Sequence, residues 1–294
     1  MSTRAGIVTV AGKPNAGKST LLNRLVGQHL AITSPKPQST RDRIVGLRTA
    51  DGVQMVILDT PGLLEPRHHL HRAMLGTALA ALREADVIVH VVDASHDAVV
   101  SLAEVAHLEA PPRAPVVLAL NKGDLVNQVV RRELAAAHPG AVVLSARTGH
   151  GMPELIAAIA AHLPESPFLY PEDDLSTQHL RFFAREAVRE AALEQLDEEV
   201  PHAVACEIEE FRETSTPVYI RAVLHVERDS QKRILIGSGG QRIKAIGEAA
   251  RRRIEGLVGG AVYLDLWVKV LPNWRRNPAA LARLGYPLPP DGKK

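Results

Sequence analysis

The residues best suited to chemistry form one octet near the start of the chain, Gly12-Lys13-Pro14-Asn15-Ala16-Gly17-Lys18-Ser19. Because glycine tolerates backbone dihedrals that bulkier residues do not, such a loop can point several N–H groups inward at phosphate oxygens. Lys18 can reach the β- and γ-phosphates of a nucleotide, and the Ser19 hydroxyl can bind a Mg²⁺ that bridges them. The octet therefore predicts a nucleotide phosphate site.

A second set of polar residues, Asp59-Thr60-Pro61-Gly62, follows the apolar run Val56-Ile57-Leu58. This order places a carboxylate at the carboxyl end of a strand, where open α/β sheets bind ligands. We expect Asp59 to belong to the coordination shell of Mg²⁺. We expect the Gly62 N–H to approach the γ-phosphate, in a contact that appears with the triphosphate and vanishes with the diphosphate.

A third set, Asn121-Lys122-Gly123-Asp124, also follows an apolar run and can distinguish between bases. The Asp124 carboxylate can accept hydrogen bonds from the ring N–H and the exocyclic amine of guanine, whereas adenine presents a ring lone pair at the matching position. Asn121 can tie this loop to the first octet, and the aliphatic stem of Lys122 can cover the base. Backbone N–H groups of Ser145-Ala146-Arg147 can contact the guanine oxygen.

A polar segment, residues 32–43, lies between the first predicted helix and Asp59. We expect it to be mobile and to supply one hydroxyl to the Mg²⁺ shell in the triphosphate state. Local chemistry does not choose among Thr33, Ser39 and Thr40.

Another glycine-rich turn, Gly237-Ser238-Gly239-Gly240, lies between two helical pieces in the last third of the chain. Without bulky side chains, such a turn lets a sugar-phosphate backbone lie against helix-end N–H groups. Residues 228–276 contain eleven basic and four acidic residues, whereas residues 172–213 contain thirteen acidic and four basic ones. This polarity predicts one positive face near the turn.

The elements that position these residues follow a βαβ order through residue 163. Four apolar runs predict strands. Because these runs are apolar on both faces, we expect the strands to be covered by helices on each side and the sheet to be mostly parallel. A proline-rich and acidic stretch, residues 164–175, then predicts a linker. Beyond it, one long helix (about 176–196), two strands, a helical region and a last strand predict a small α+β domain. The four runs are Gln54–Leu58, Val87–Val92, Pro115–Leu120 and Ala141–Leu144.

Composition excludes several classes of protein. The balance of 35 basic and 33 acidic residues produces no strong overall field. A single cysteine, Cys206, excludes an internal disulfide framework and a cysteine-rich zinc site, and its acidic neighbours disfavour a thiolate. No apolar run is long enough to span a bilayer, and no cleavable leader is present, so we expect a cytoplasmic protein. His68, His69 and His71 have no accompanying carboxylate or cysteine set, and we expect them to be solvated.

The four nucleotide motifs resemble those of the translation-factor class of GTPases, and the resemblance covers about residues 4–163. A P-loop kinase or ATPase would have no use for the Asn-Lys-x-Asp set. The resemblance implies that Thr40 supplies the hydroxyl to Mg²⁺, so that Lys18, Thr40 and Gly62 serve hydrolysis. Leu63 stands where many signalling GTPases have a glutamine that orients the attacking water, so we expect slow unassisted hydrolysis. Asn15 stands where some relatives hold K⁺; a role confined to its own loop is an equal alternative.

The Gly-x-x-Gly turn and its surroundings resemble a KH domain of type II, although Ser238-Gly239 replaces the basic residue that KH loops often carry. Phosphate contact should then depend more on Lys232, Arg233, Arg242 and Lys244. A GTPase domain followed by one KH domain and by Leu266-Trp267-Val268-Lys269-Val270 resembles the Era family of bacterial ribosome-assembly GTPases. Trp267 and Trp274 can stack bases or pack at the domain edge; we favour packing for Trp267 and leave Trp274 open.

This resemblance implies a GTP-hydrolysing switch that binds the 3′ region of small-subunit ribosomal RNA and assists assembly of the small (30S-type) subunit. It also implies peripheral association with the inner membrane, which nothing in the residues supports independently. We expect a monomer with GTP or GDP, Mg²⁺ and potentially K⁺ as ligands. The alternative is a GTPase with a different RNA partner or a role in RNA modification.

The predicted domains are residues 1–163 (GTP-binding), 164–175 (linker), 176–286 (KH) and 287–294 (tail). The predicted metal ligands are Ser19, Thr40 and Asp59 for Mg²⁺ and Asn15 for K⁺. The predicted nucleotide contacts are Gly12, Lys13, Pro14, Asn15, Ala16, Gly17, Lys18, Ser19, Thr20, Asp59, Thr60, Pro61, Gly62, Asn121, Lys122, Asp124, Ser145, Ala146 and Arg147. The predicted RNA contacts are Lys232, Arg233, Ile236, Gly237, Ser238, Gly239, Gly240, Gln241, Arg242, Ile243 and Lys244.

Overall fold

Six strands form one twisted sheet in the first part of the computed structural model, which describes residues 3–289. Their order across the sheet is β2-β3-β1-β4-β5-β6. Five strands run parallel, and β2 alone is antiparallel to its neighbour β3. The prediction of a mostly parallel sheet is therefore confirmed. The strands are β1 (Arg4–Ala11), β2 (Ile44–Ala50), β3 (Val53–Asp59), β4 (Val87–Asp93), β5 (Val116–Asn121) and β6 (Val142–Val143).

Helices connect these strands. The central strand β4 is buried along its whole length, as expected for a parallel strand covered on both faces. The first helix after β1 begins directly at the end of the glycine-rich octet. The helices are α1 (Lys18–Val26), α2 (His69–Glu84), α3 (Leu102–Val105), α4 (Gln128–Ala137) and α5 (Met152–His162).

The edge strand β2 was not predicted from the sequence. Gly46 interrupts the apolar residues of this strand, and α1 packs against the strand at this glycine. A Cβ at this position would lie 2.6 Å from Val26 Cγ2 and 2.8 Å from Leu22 Cδ1, so only glycine lets α1 pack this closely on the strand.

The segment predicted as a linker lies along β2 and β3. The Gln54 side chain accepts from Leu169 N (2.7 Å) and donates to Tyr170 O (2.8 Å). On the outer side of β2, Leu47 N donates to Leu175 O at 2.8 Å, and Ser176 Oγ donates to Val45 O at 2.5 Å. Residues through Thr177, apart from His68–Leu70, therefore belong to the first compact unit, and the second begins at Gln178.

The second unit is a three-stranded sheet in the order β7-β8-β9, with helices packed on one face. Strands β7 and β8 are antiparallel, whereas β8 and β9 are parallel. The predicted α+β order is confirmed, although the first helix begins at Leu180 instead of about 176. The elements are α6 (Leu180–Gln195), α7 (Val200–Ala203), β7 (Ala205–Arg212), β8 (Val218–Val226), α8 (Asp229–Ile236), α9 (Gln241–Val258), β9 (Val262–Val270) and α10 (Pro278–Arg283).

The short helices α7 and α10 were not predicted, because four to six residues are too few to show a helical period. Of the predicted tail, residues 290–294 lie outside the described residues.

Candidate nucleotide and RNA sites

A cleft of about 450 Å³ opens at the carboxyl edge of the first sheet. Its walls include the glycine-rich octet, the polar segment of residues 32–40, Gly62 and Lys122. Residues from distant parts of the chain, which the sequence predicted to act together, therefore line one cavity.

The backbone of the octet requires glycine at two positions. Gly12 has φ +151°, and a Cβ there would lie 2.2 Å from Val91 O. Gly17 has φ +95°, and its Cβ would lie 2.2 Å from Asn121 Nδ2. Gly17 also caps α1 without a side-chain hydrogen bond, so the first N–H groups of this helix are left to a ligand.

Lys18 is buried at the floor of this loop. Its ammonium donates to Lys13 O at 2.8 Å and to Gly12 O at 3.2 Å. Burial lowers the pKa of Lys18 to about 8, and the nearby Asp59 carboxylate opposes this shift. A phosphate beside Lys18 would act in the same direction as Asp59 and favour the charged amine.

Three oxygen-bearing side chains converge beside Lys18. Asp59 Oδ2 accepts from Ser19 Oγ at 2.7 Å and from Thr40 Oγ1 at 3.4 Å, and the two hydroxyls lie 2.8 Å apart. The other carboxylate oxygen, Asp59 Oδ1, is buried and has no hydrogen-bond partner among the described residues. Burial raises the pKa of Asp59 to about 6. One carboxylate and two hydroxyls are hard oxygen ligands, so this set fits Mg²⁺.

Of the three candidate hydroxyls, the Thr40 hydroxyl contacts both other predicted Mg²⁺ ligands. Thr40 is buried and reaches both Ser19 and Asp59, whereas Thr33 is exposed on the wall of the cleft. The structure therefore brings together the three residues predicted to hold Mg²⁺.

The base-recognition loops are joined through Asn121. Its Nδ2 donates to Ala16 O at 2.8 Å, and its Oδ1 accepts from Ala146 N at 2.9 Å. One buried amide thus ties the octet to the two loops that were predicted to contact guanine. The expected link between Asn121 and the octet is confirmed.

Asp124 is oriented by the Ser145 hydroxyl, which donates to Oδ1 at 2.6 Å, and is paired with the Arg147 guanidinium. The Ser145 hydrogen bond, followed by that of Arg147, holds the pKa of Asp124 below its usual value. Because the Arg147 side chain is 72% exposed, a base can displace it at little cost. Asp124 therefore stays ionised and can accept from two N–H groups.

Asp93 is a residue of this site that sequence reasoning missed. It ends β4 and its Oδ2 lies 2.5 Å from Lys122 Nζ, so it orients the lysine expected to cover the base. The available signal was its position, since it directly follows the apolar run Val87–Val92 at the same sheet edge as Asp59 and Asn121.

Leu63 and Gly62 lie at the other side of the cleft. Leu63 is buried in the core beside Ala78 and Ile88, and its N–H donates to Gly12 O at 3.0 Å. A Cβ on Gly62 would lie 2.7 Å from Pro14 N, so the glycine permits close approach to the octet. The side chain of Leu63 faces away from the cleft.

Asn15 contacts the polar segment and not its own loop. Its Nδ2 donates to Pro35 O at 3.1 Å, from a left-handed backbone conformation with φ +62°. The side chain therefore joins the octet to residues 32–43.

His71 is buried, so the expectation that all three histidines are solvated is wrong for this residue. Its Nδ1 accepts from Arg67 N at 3.3 Å, and its Nε2 lies 3.0 Å from Gln38 Oε1. Since the first contact makes Nδ1 the acceptor, Nε2 is the donor to Gln38. Among residues 3–289 no cluster of three or more metal-ligating side chains includes the histidines.

The Gly-x-x-Gly turn joins α8 to α9 in the second unit. Gly237 has φ +73° and ψ 175°, and Gly239 and Gly240 have φ +55° and +78°. Ser238 and Gly239 are exposed. This conformation presents backbone at the surface, as the predicted phosphate contact requires.

The side chains around this turn differ in their solvent exposure and in whether they already hydrogen-bond to the backbone. Arg233 and Lys244 are exposed, and Lys232 is half-buried. Arg242 Nη1 donates to Ile234 O at 2.5 Å, so one donor of this predicted phosphate ligand caps α8. Ile236 and Ile243 are half-buried beside the turn. The predicted RNA contacts therefore lie around one turn, and Arg242 uses one of its five N–H donors on the backbone.

Comparison with known proteins agrees with both sites. Residues 7–122 match the family of 50S ribosome-binding GTPases, and residues 199–275 match the KH domain family. GTPase Era of Nostoc sp. is 41% identical over 96% of this chain and 90% of the relative. GTPase Era of Carboxydothermus hydrogenoformans is 41% identical over 97% of this chain and 99% of the relative. The chain belongs to the Era family of GTPases.

Solved Era structures have the same architecture. An Aquifex aeolicus Era variant bound to GDP and aluminium fluoride superimposes with a TM-score of 0.90, at 38% identity over 97% of this chain and 100% of that one. Era in complex with MgGDPNP and nucleotides 1506–1542 of 16S ribosomal RNA matches equally well. This chain is therefore a GTPase of the Era family with a C-terminal KH domain.

The two tryptophans of this Era-family chain have opposite environments. Trp274 is fully buried, and its Nε1 donates to Ala203 O at 2.8 Å. Trp267 is 54% exposed on β9, so the expectation that it packs at the domain edge is wrong. The alternation of β9 explains this, because its odd-numbered residues face away from the helices.

Two predictions concerned properties that the chain should lack, namely a reactive cysteine and a membrane-spanning segment. Cys206 is buried, and burial raises the pKa of its thiol to about 12, so the expectation of an unreactive cysteine is confirmed. Within residues 3–289, no helix is both long and apolar enough to cross a bilayer.

Proposed function

We propose that this chain is a Mg²⁺-dependent GTPase switch that binds the 3′ region of small-subunit ribosomal RNA through its KH turn and assists assembly of that subunit. The observation that carries the proposal is the convergence of Ser19, Thr40 and Asp59 beside Lys18, in a fold whose Asp124 suits guanine. The matching Era complex with MgGDPNP and 16S ribosomal RNA supports the choice of ligands.

In this proposal Ser19, Thr40 and Asp59 hold Mg²⁺, which neutralises charge on the β- and γ-phosphate oxygens. The orphaned Asp59 Oδ1 supports this role, because a buried carboxylate oxygen without a partner is costly. Lys18 pairs with the same phosphates from the loop floor. The Gly62 N–H contacts the γ-phosphate.

The attacking water needs an orienting group other than Leu63, whose side chain faces the core. Backbone groups of residues 32–43 and 60–64, or a cation held near Asn15, take that role. Since Leu63 lacks the hydrogen-bonding group of the usual glutamine, unassisted hydrolysis should be slow, and K⁺ should accelerate it if Asn15 holds that ion.

Nucleotide and RNA binding are coupled in the proposal. Thr40 belongs to residues 32–43, so its contact to Mg²⁺ and the γ-phosphate orders that segment only in the triphosphate state. If this ordering changes access to the KH turn, RNA affinity depends on the nucleotide, and RNA changes nucleotide affinity by the same factor.

RNA contact is assigned to the exposed backbone of Gly237–Gly240 with Lys232, Arg233 and Lys244. None of these three cations forms an ion pair within 4.0 Å in the part of the chain that is described. By contrast, Arg253, Lys269 and Arg275 are paired with glutamates. The positive patch at the turn is therefore smaller than the basic stretch of sequence suggests.

The proposal also includes the location of the protein and its oligomeric state. We place the protein in the cytoplasm as a monomer, with any contact to the inner membrane peripheral. Sedimentation with anionic vesicles and light scattering would test these assignments directly.

The experiment that tests the function measures GTP hydrolysis by the purified chain with and without a small-subunit RNA fragment that carries the intact 3′ end. Each condition is run in K⁺ and in Na⁺. We expect stimulation by this RNA, and no stimulation by a fragment lacking the 3′ end. Equal rates with both fragments, together with equal RNA affinity in GDP and in a GTP analogue, would refute the coupled switch.

A further inference from the structure

The sheet of the second unit carries exposed side chains on the face opposite its packed helices. Along β9, Leu264, Leu266 and Val268 pack against the core on the helical side. The intervening Tyr263 and Trp267 point the other way and are 59% and 54% exposed. Both are more exposed than Tyr170, which is 38% exposed, and they share one face.

The aromatic side chains on this face are held in place. The rings of Tyr219 and Tyr263 are stacked at 5.8 Å with an interplanar angle of 12°, and the Arg212 guanidinium lies 4.8 Å from the Tyr219 ring. Trp267 Nε1 donates to Asp265 Oδ1 at 2.7 Å. A rigid ring loses little conformational entropy when it contacts a ligand.

Asp265 is the centre of this arrangement. Its Oδ2 accepts from Tyr219 OH and from Arg221 Nε, both at 3.0 Å, while its Oδ1 holds Trp267. These contacts hold the pKa of Asp265 below its usual value. One carboxylate therefore fixes two aromatic rings and one guanidinium on the same open surface.

We propose that this face, defined by Tyr219, Arg221, Tyr263, Asp265 and Trp267, is a second RNA-binding surface that stacks unpaired bases on Trp267 and Tyr263. It rests on the proposed RNA binding and extends it beyond the Gly-x-x-Gly turn. Trp267 and Tyr263 are four residues apart on one strand, about 13 Å, so each can stack a separate base of one extended segment.

The position of β9 connects this face with the turn. The strand is an edge of the sheet. Leu266 packs toward α9, the helix that begins at the turn, and a Cβ on Gly247 of that helix would lie 3.9 Å from Leu266 Cδ2. The next residue, Trp267, faces the opposite side. A single strand bound at the turn can therefore pass over this edge and reach the tryptophan.

The charges of the face favour stacking over phosphate binding. Arg212, Arg221 and Lys269 are each paired with a carboxylate and 42–61% exposed, so the face has little net charge. Binding here should depend weakly on salt, unlike phosphate contact at the turn.

The two tryptophans allow a direct test. Trp274 is buried and reports only on folding, whereas Trp267 lies on the proposed surface. Fluorescence of the full chain is titrated with single-stranded RNA of small-subunit 3′ sequence at two salt concentrations. We expect quenching in the unaltered chain and none in Trp267→Leu, with about 5- to 100-fold weaker binding in that variant, as one lost base stack predicts. Trp267→Phe should retain most of the affinity.

Two comparisons separate this inference from the proposed function. Lys244→Ala should weaken binding with a reduced salt slope, yet leave the quenching at saturating RNA. If Gly239→Asp impairs RNA binding while Trp267→Leu binds as tightly as the unaltered chain, the turn binds RNA and the second surface does not. Failure of the unaltered chain to bind RNA would overturn both.

A protein partner is the other outcome. If Trp267→Leu retains full affinity for naked RNA but is no longer retained on small ribosomal subunits, the face contacts a protein and the proposal is overturned. An unchanged Trp274 emission maximum would show that the variant is folded.

Discussion

The nucleotide cleft and the KH turn are both built on glycine-rich loops, yet they hold their ligand groups in opposite ways. In the cleft, Lys18, Thr40 and Asp59 are buried and bonded to one another or to backbone. At the turn, Ser238 and Gly239 are exposed, and the nearby Arg242 serves the helix α8.

This difference teaches where specificity resides. Buried polar side chains exclude water and select a ligand by its donors and acceptors, so each substitution in the cleft should be costly. An exposed turn offers mainly backbone shape and a few mobile cations, so it accepts a sugar-phosphate chain without strong selection. The base selectivity of the KH unit must then come from surfaces beside the turn.

The largest effect should follow Lys18→Ala. Loss of a buried cation that pairs with the reacting phosphates should lower kcat for GTP hydrolysis by about 10²- to 10³-fold. RNA affinity without nucleotide should stay within about twofold of the unaltered value. Steady-state phosphate release and RNA titration check the two results, with Arg132→Ala as an exposed cation removed from the same unit. A variant with near-normal kcat would contradict the assignment.

Asp124→Asn should change the base that the cleft accepts. The amide NH₂ would face an N–H donor of guanine, so GTP affinity should fall about 10- to 100-fold, as for one or two unmatched hydrogen bonds. Xanthosine triphosphate, which has a carbonyl where guanine has its amine, should bind more tightly than GTP. Competition of both nucleotides against a fluorescent analogue measures this exchange. Unaltered preference for GTP would show that Asp124 does not contact the base.

Gly239→Asp tests whether the turn acts through backbone shape. A Cβ at this position meets nothing within 4 Å, so the Cβ atom itself does not clash, and the variant adds a charge together with the strain of a side chain at φ +55°. Repulsion from a nearby phosphate, about 1 kcal/mol at 4 Å in water, should weaken RNA binding about fivefold. Gly239→Asn is the matched neutral control and tolerates the positive φ. Equal losses in both variants would indicate backbone strain instead of charge.

The smallest effect concerns the link between residues 32–43 and the start of α2. The hydrogen bond from His71 to Gln38 joins the segment that contains Thr40 to the start of α2. His71→Phe and Gln38→Leu should each slow GTP hydrolysis about threefold, as expected for one hydrogen bond of about 0.6 kcal/mol. The double variant should be no slower than either single variant. Additive losses would show that the two side chains act separately.

The extent of prediction from sequence differs between the same two regions. In the cleft, four motifs at strand ends predicted one site, because parallel strands deliver their carboxyl ends to one edge. Asp93 was missed since it belongs to no recognised motif, although it ends a strand like the others. The choice of Thr40 needed either family resemblance or coordinates, because three hydroxyls lie in one flexible polar stretch.

In the KH unit, a single turn and its basic context predicted the architecture but not the state of individual side chains. Arg242 could not be recognised as a helix cap from sequence, since its partner is a backbone carbonyl eight residues away. Trp267 was assigned to packing at the domain edge, although the residues two positions to either side of it, Asp265 and Lys269, are charged. Only the register of the sheet decides which side of that strand a residue faces.

The segment that runs along β2 covers backbone N–H and C=O groups that an edge strand would otherwise leave unpaired. An edge strand with unpaired N–H and C=O groups can recruit strands from other molecules and so cause aggregation. Here Leu47 N and Val45 O, on the outer side of β2, are occupied by Leu175 and Ser176. An isolated GTP-binding domain ending at residue 163 would expose this edge and lose solubility, whereas one extended through Thr177 would keep it covered.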